Sequence, residues 1–127
     1  MPYQITDTFP AFLTWWSEAQ HLPLPAQVDS WAGDYMAGWP ELLAKQEECY
    51  ARDGLDWRAI ARERVFPRLA ARLPAMVAAH ALLLETCGPV HAQVRQALGW
   101  EGKVAFVLYV GVGCGAGWAT TYGGLPA

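Results

Sequence analysis

Charge is scarce in this sequence. Asp, Glu, Lys and Arg make up 17% of 127 residues, and none occurs after Lys103. Cysteine is scarce too: Cys49, Cys87 and Cys114 are odd in number and far apart, with no C-x-x-C or Cys/His spacing. That pattern supports neither a disulfide framework nor a structural zinc site. The N-terminus lacks the basic-then-apolar order of a secretory leader, so a cytoplasmic location is expected. No internal repeat and no low-complexity segment occurs. The formal net charge of −3 lacks the electrostatic footprint of a nucleic-acid binder, and no nucleic-acid partner is expected.

What charge there is falls unevenly. Residues 1–50 carry seven carboxylates against Lys45 alone, while residues 51–72 carry six arginines against Asp53, Asp56 and Glu63. An acidic half beside a basic helix pairs internally, and Arg58, Arg62, Arg68 and Arg72 read as a solvated face matched to acids. Apolar residues make up 54% of the chain and include seven tryptophans, at 15, 16, 31, 39, 57, 100 and 118. That content excludes a disordered tail and suits one domain spanning 1–127. Trp15, Trp16, Trp31, Trp39 and Trp57 fall on inward helical faces and read as core. Trp100 and Trp118 flank the later strands and are the two considered for contact with a partner.

Residues 1–99 read as helical. The first helix covers 8–20, with Thr8 as cap, Pro10 in the first turn and Phe9, Phe12, Leu13 and Trp16 on one face. The prolines of His21-Leu-Pro-Leu-Pro25 predict a stiff extended connector. A second helical stretch runs from about 26 or 29 to 52, with a break at Gly38-Trp39-Pro40. Asp56 caps a third. Pro67 and Pro74 predict short helices or a kinked rod, with Leu69, Leu73, Val77, His80 and Leu84 inward as far as Cys87-Gly88-Pro89. Pro89 then opens a last helix, with Val90, Val94, Ala97 and Leu98 inward and Gly99 as its stop.

The segment 103–127 reads differently. Val104–Val110 is rich in β-branched and aromatic residues and apolar on both faces, which predicts a strand covered on both sides. Glycines follow at 111, 113, 115 and 117 as a glycine-rich turn. Trp118–Tyr122 reads as a second strand, Gly123-Gly124 as a turn, and a third strand is expected from Leu125. The fold class is therefore α+β: a helical body of about five helices, then a small C-terminal antiparallel β-hairpin or sheet. The 24 uncharged residues of 104–127 are long enough to span a bilayer. Six glycines, a proline and Thr120-Thr121-Tyr122 favour strands instead, and no membrane partner is expected.

Chemistry is hard to place on these residues. Gly111-Val-Gly113-Cys-Gly115-Ala116 formally matches G-x-G-x-x-[GA] after a strand. A dinucleotide site needs a helix next and an acid about twenty residues on, and the sequence offers neither. Cys114 among the glycines has no base that the sequence singles out from His21, His80 and His91. His80, among Ala79, Ala81, Leu82 and Leu83, reads as a buried, hydrogen-bonded imidazole. No catalytic and no metal-binding residue is assigned.

The segments Phe106-Val-Leu-Tyr-Val-Gly-Val-Gly113 and Gly117-Trp-Ala-Thr-Thr-Tyr-Gly-Gly-Leu-Pro-Ala127 resemble a stretch of bacterial zinc-dependent metallopeptidases of the H-E-x-x-H type. There a helical region leads into a strand, a glycine-rich turn and further strands, and the H-E-x-x-H helix comes later. This chain has no H-E-x-x-H. The resemblance implies a non-catalytic N-terminal portion, inactive as written, whose zinc and general base lie beyond Ala127. It also implies substrate contact at Trp118, Thr120, Thr121 and Tyr122, since peptide substrates add to the sheet of such enzymes as an extra strand. The alternative is a complete binding or oligomerisation module. Its partner, the rest of the same polypeptide or a second copy, would cover residues 104–122, because an exposed flat apolar edge promotes aggregation.

Overall fold

The computed structural model describes residues 2–113 and 117–127; Cys114, Gly115 and Ala116, and with them part of the glycine-rich turn, lie outside the described residues. The fold is α+β, with one strand where the sequence reading placed none. β1 (Tyr3–Asp7) pairs in parallel with β2 (Val104–Leu108), in the register Tyr3↔Val104 through Asp7↔Leu108. Tyr3, Ile5 and Thr6 favour extended backbone, but only a partner about a hundred residues away turns that preference into a strand. β2 was expected to pair with the segment after the glycines. It pairs with β1 instead, and the expected strand 118–122 is reduced to β3 (Thr121–Tyr122). β3 turns through Gly123-Gly124 into β4 (Leu125–Pro126), an antiparallel pair. Positive φ at both glycines (56° and 78°) is the geometry of a tight two-residue hairpin.

α1 (Phe9–Ala19) follows β1 at once. Thr8 does not cap it through its side chain; the hydroxyl instead donates to the Leu108 carbonyl at 2.9 Å and meets the Tyr35 hydroxyl. The connector is shorter than expected, because α2 (Leu24–Ser30) takes Pro25 into its first turn. α2 continues through a π-helical turn (Trp31–Tyr35) and a 3₁₀ turn (Met36–Gly38), and the break at Trp39-Pro40 precedes α3 (Pro40–Arg52). Asp56 caps α4 (Trp57–Ile60) by accepting from the Ala59 amide at 3.1 Å. A second π turn (Ala61–Val65) and a 3₁₀ turn (Phe66–Arg68) lead into α5 (Leu69–Leu98). Arg58 pairs with Asp29, joining the basic and acidic segments as charge patterning predicts.

The core is aromatic. Phe12, Trp31 and Met36 are fully buried, Trp16, Tyr35 and Phe66 nearly so, and Trp15, Trp39 and Trp57 pack against them. Phe12, Trp15 and Trp31 each contact the Tyr35 ring, at centroid distances of 5.4–6.4 Å. Packing of this kind contributes more than its area alone, since offset and edge-on ring pairs are favourable.

α5 overturns two expectations. It runs unbroken through Pro74 and through Gly88-Pro89 to Gly99, whose φ of 60° ends it. Each proline deprives the carbonyl four residues earlier of a partner; those residues, Ala70 and Glu85, lie on the exposed side of the helix, where the loss costs less than it would in the core. The inward stripe also differs. Leu69, Leu73, Met76, His80, Cys87 and His91 face the rest of the molecule, whereas Val77, Leu82, Leu83, Leu84, Val90, Val94 and Leu98 are exposed. The helical run Trp57–Leu98 is, among the described residues, the one stretch long and apolar enough to cross a membrane by length and composition, and 6% of its apolar window is buried.

These contacts sandwich β2. On one face α5 meets the sheet: His80 bonds Asp7, Tyr3 packs on His91 at 5.1 Å and on Phe106 at 5.6 Å. Ala105, Val107 and Tyr109 point the other way by the pleat, and Val107 and Tyr109 pack against the helical core.

Candidate functional site

The exit of β2 is tied down at Val110. Its carbonyl accepts from Trp31 Nε1 at 3.0 Å and its amide donates to the Tyr35 hydroxyl at 3.1 Å. The first π turn presents both side chains; such turns widen a helix locally and recur at functional positions. Val112, just beyond, is fully buried. Among the described residues β2 has a hydrogen-bonded partner strand, β1, on one edge and none on the other. The Val104 amide donates to Pro2 and the Leu108 carbonyl accepts from the Thr8 amide, so the main-chain groups of Val104, Phe106 and Leu108 point at β1. Those of Ala105, Val107 and Tyr109 therefore point the opposite way. Among the described residues no strand is hydrogen-bonded there, but β4 lies alongside, with Pro126 and Ala127 near Val104, Ala105 and Phe106.

Two apolar grooves flank that edge. One, of about 250 Å³, lies between Leu42, Leu83, Val107 and Tyr109 and the segment Trp118, Thr120 and Tyr122. The other, of about 210 Å³, lies between Val90, His91, Val94 and Trp100 on one side and Val104, Ala105 and Phe106 on the other. Ala127 borders both. Three of the four residues expected to contact substrate thus share one groove, and Thr121 is exposed outside it. Trp118 is held edge-on to Tyr109 at 5.6 Å. Thr120 and Ala127 exchange two main-chain bonds of 2.8 Å. The Glu41 carboxylate accepts from the Gly123 amide at 3.2 Å, holding the hairpin on α3. Burial pushes the phenols of Tyr109 and Tyr122 above their ordinary range, with Glu41 adding to the effect at Tyr122.

Of the glycines expected in the turn, Gly111 lies against the Tyr109 ring and Gly113 comes close to Val65. Gly117 borders the first groove, and Gly115 is outside the described residues.

A third hollow, of about 250 Å³, is lined by His80, whose ring is bonded to Asp7. His80 Nε2 lies 2.8 and 3.0 Å from the Asp7 carboxylate, and the ring stacks on Phe9 at 4.3 Å. A His–Asp dyad orients a base, but nucleophilic catalysis also needs a hydroxyl or thiol within reach. The described lining offers only the Tyr109 phenol, which burial keeps protonated. The Phe9 amide donates to the same carboxylate at 3.1 Å, so the pair fastens β1 and α1 to α5.

His91 is the residue that sequence reasoning passed over. It is 6% exposed, and its Nε2 is buried without a hydrogen-bond partner. Its position three residues after Gly88, where the helix passes close to the Tyr3 hydroxyl, places it beside Tyr3. Among the described residues no group of three His, Cys, Asp or Glu side chains converges to hold a metal ion. Compared with protein-family models, curated proteins and solved structures, the chain matches none.

Proposed function

We propose that this chain is the non-catalytic front of a zinc-dependent peptidase: a helical body and the first strands of a substrate-binding sheet, with zinc and its ligands supplied by residues outside it. The observation that supports the reading is the convergence of Trp118, Thr120 and Tyr122 on one groove beside β2. An extended peptide lying there gains main-chain hydrogen bonds from a strand and apolar contact from the aromatic rings. Thr121, exposed on the same hairpin, lies at the rim of that path. The test is the intact mass of the protein from its natural source, with zinc measured on the same sample. A mass well above 14.0 kDa with about one zinc per chain is expected. A mass of 14.0 kDa without metal would end this reading.

The exposed apolar side chains of α5 favour a second reading, a complete binding module whose strands 104–122 are covered by a partner chain. Sedimentation of the isolated chain as a monodisperse monomer at high concentration would count against a second copy as that partner.

A further inference from the structure

The hollow beside the His80–Asp7 pair is bordered by an imidazole, and the pair fixes what that ring can do. A carboxylate only accepts hydrogen bonds, so the nitrogen that meets Asp7 at 2.8 and 3.0 Å, Nε2, carries a proton. In the neutral ring the second nitrogen, Nδ1, then keeps a lone pair and can only accept. Nδ1 makes no hydrogen bond to the described residues. The buried side-chain atoms without a partner are Gln27 Oε1 and His91 Nε2, so Nδ1 is accessible. Phe9 covers one face of the ring at 4.3 Å and Asp7 holds the Nε2 edge, which leaves the other edge for the hollow. Around it the lining is apolar, with Met76, Leu83, Leu108 and Val110 beside Phe9 and no Asp, Glu, Lys or Arg. A ligand carboxylate would meet the Asp7 charge a ring's width away and lose its water against apolar walls. An ammonium loses its water likewise, and the Asp7 oxygens are already taken by His80 and the Phe9 amide. A hydroxyl brings one donor for one acceptor and no charge. A dry cavity of roughly 150 Å³ holds benzene, so about 250 Å³ takes a six-membered ring with a small substituent.

We propose that this hollow binds a small uncharged phenol, whose ring lies among Phe9, Met76, Leu83 and Leu108 and whose hydroxyl donates to His80 Nδ1. The Phe9 ring and the Met76 thioether both favour an aromatic neighbour over an aliphatic one. A phenolic O–H, which ionises near pH 10, is also a stronger donor than that of an alcohol. Asp7 acts as a positioning residue: it holds the imidazole in the tautomer that presents an acceptor, and the Phe9 amide holds Asp7. This site does not depend on the peptidase reading, and zinc content and intact mass do not bear on it.

The probe is 4-methylphenol, titrated into the chain labelled with ¹³C at its methyl groups and ¹⁵N in its histidine rings and followed by NMR. At about pH 8 an ordinary imidazole is neutral and a phenol keeps its proton. Saturable shifts are expected at the Met76 and Val110 methyls and at His80 Nδ1, with a Kd on the order of 1 mM. His21 and the Trp118 indole, on the neighbouring groove, should not move. Toluene, the same shape without a donor, should bind about fivefold more weakly and shift the methyls without shifting Nδ1. In His80→Phe, which keeps a ring against Phe9, the two compounds should bind within about twofold of each other; the comparison on the parent chain stands alone if that variant does not fold. No saturable shift up to about 10 mM phenol would overturn the proposal. So would equal affinity for toluene, tight binding of 4-methylbenzoate, a protonated Nδ1 in the free chain, or shifts centred on Trp118. Movement of the same methyl signals on diluting the free chain would overturn it in favour of a second copy as the occupant.

Discussion

The attachment of β2 to the helical body rests on a hydroxyl whose removal has a calculable cost. In Tyr35→Phe the ring stays in its aromatic setting and only the oxygen is lost. Tyr35 is 3% exposed and Thr8 fully buried, so no water replaces that oxygen. The Val110 amide loses its acceptor, and one orphaned buried donor costs about 1–3 kcal/mol. The Thr8 hydroxyl loses one contact but keeps the Leu108 carbonyl, which limits the further loss. The expected destabilisation is about 2 kcal/mol. For a chain of this size that lowers Tm by roughly 6–10 °C. Urea unfolding followed by circular dichroism measures the first quantity, with an unchanged m-value showing that the unfolded reference has not moved. Hydrogen exchange supplies the local reading: the Val110 amide should open faster than its neighbours on β2. Thr8→Val, which removes the other hydroxyl of the pair, should combine with Tyr35→Phe to cost less than the sum of the two. A Tyr35→Phe chain within about 0.5 kcal/mol of the parent, with unaltered exchange at Val110, would refute the argument that this bond ties β2 to the helices.

His91→Leu should stabilise the free chain by about 1 kcal/mol, because it removes a buried polar atom that has no partner; a loss of that size in the urea midpoint would show that the imidazole is hydrogen-bonded in solution. High pH should destabilise the chain through its tyrosines. Burial raises Tyr109, Tyr35 and Tyr122 above the ordinary value of 10.0, so the folded state holds these protons more tightly than the unfolded one. Their contribution is complete below pH 10 and is lost as pH rises through the folded values. The urea midpoint should therefore fall as pH rises above 10, less steeply in Tyr109→Phe, and a flat profile in the parent would contradict the burial argument.

Local chemistry was legible wherever one residue decides a conformation. Asp56 as a cap, Trp39-Pro40 as a break, Gly99 as a stop and Gly123-Gly124 as a hairpin turn each follow from side-chain or φ constraints that act within a few residues. The alternation in Val104–Val110 showed a strand apolar on both faces. It held no information about which edge is paired, because side-chain periodicity describes faces and leaves the main-chain direction unspecified. The candidate groove was partly legible, since Trp118, Thr120 and Tyr122 come from one segment. The α5 wall of the neighbouring groove was not, because Val90 and Val94 were expected inward and line it from outside the buried stripe.

Pro74 and Pro89 show the limit of a local rule. Proline discourages helix interiors because a carbonyl is left unpaired, yet α5 passes through both where the residue that carries that carbonyl is exposed. Burial is a property of the assembled molecule, and no window of sequence holds it. The same holds for β1: Tyr3–Asp7 is too short to be a strand alone and becomes one when β2 arrives from the far end of the chain. The sequence by itself determined helical or extended preference, caps, turns and the aromatic stock of the core, since these depend on neighbours in the chain. Tertiary structure decided which edge of β2 pairs with β1, which stripe of α5 is buried and which polar atoms, His91 Nε2 among them, are left without a partner, because each depends on contacts between residues that only folding brings together.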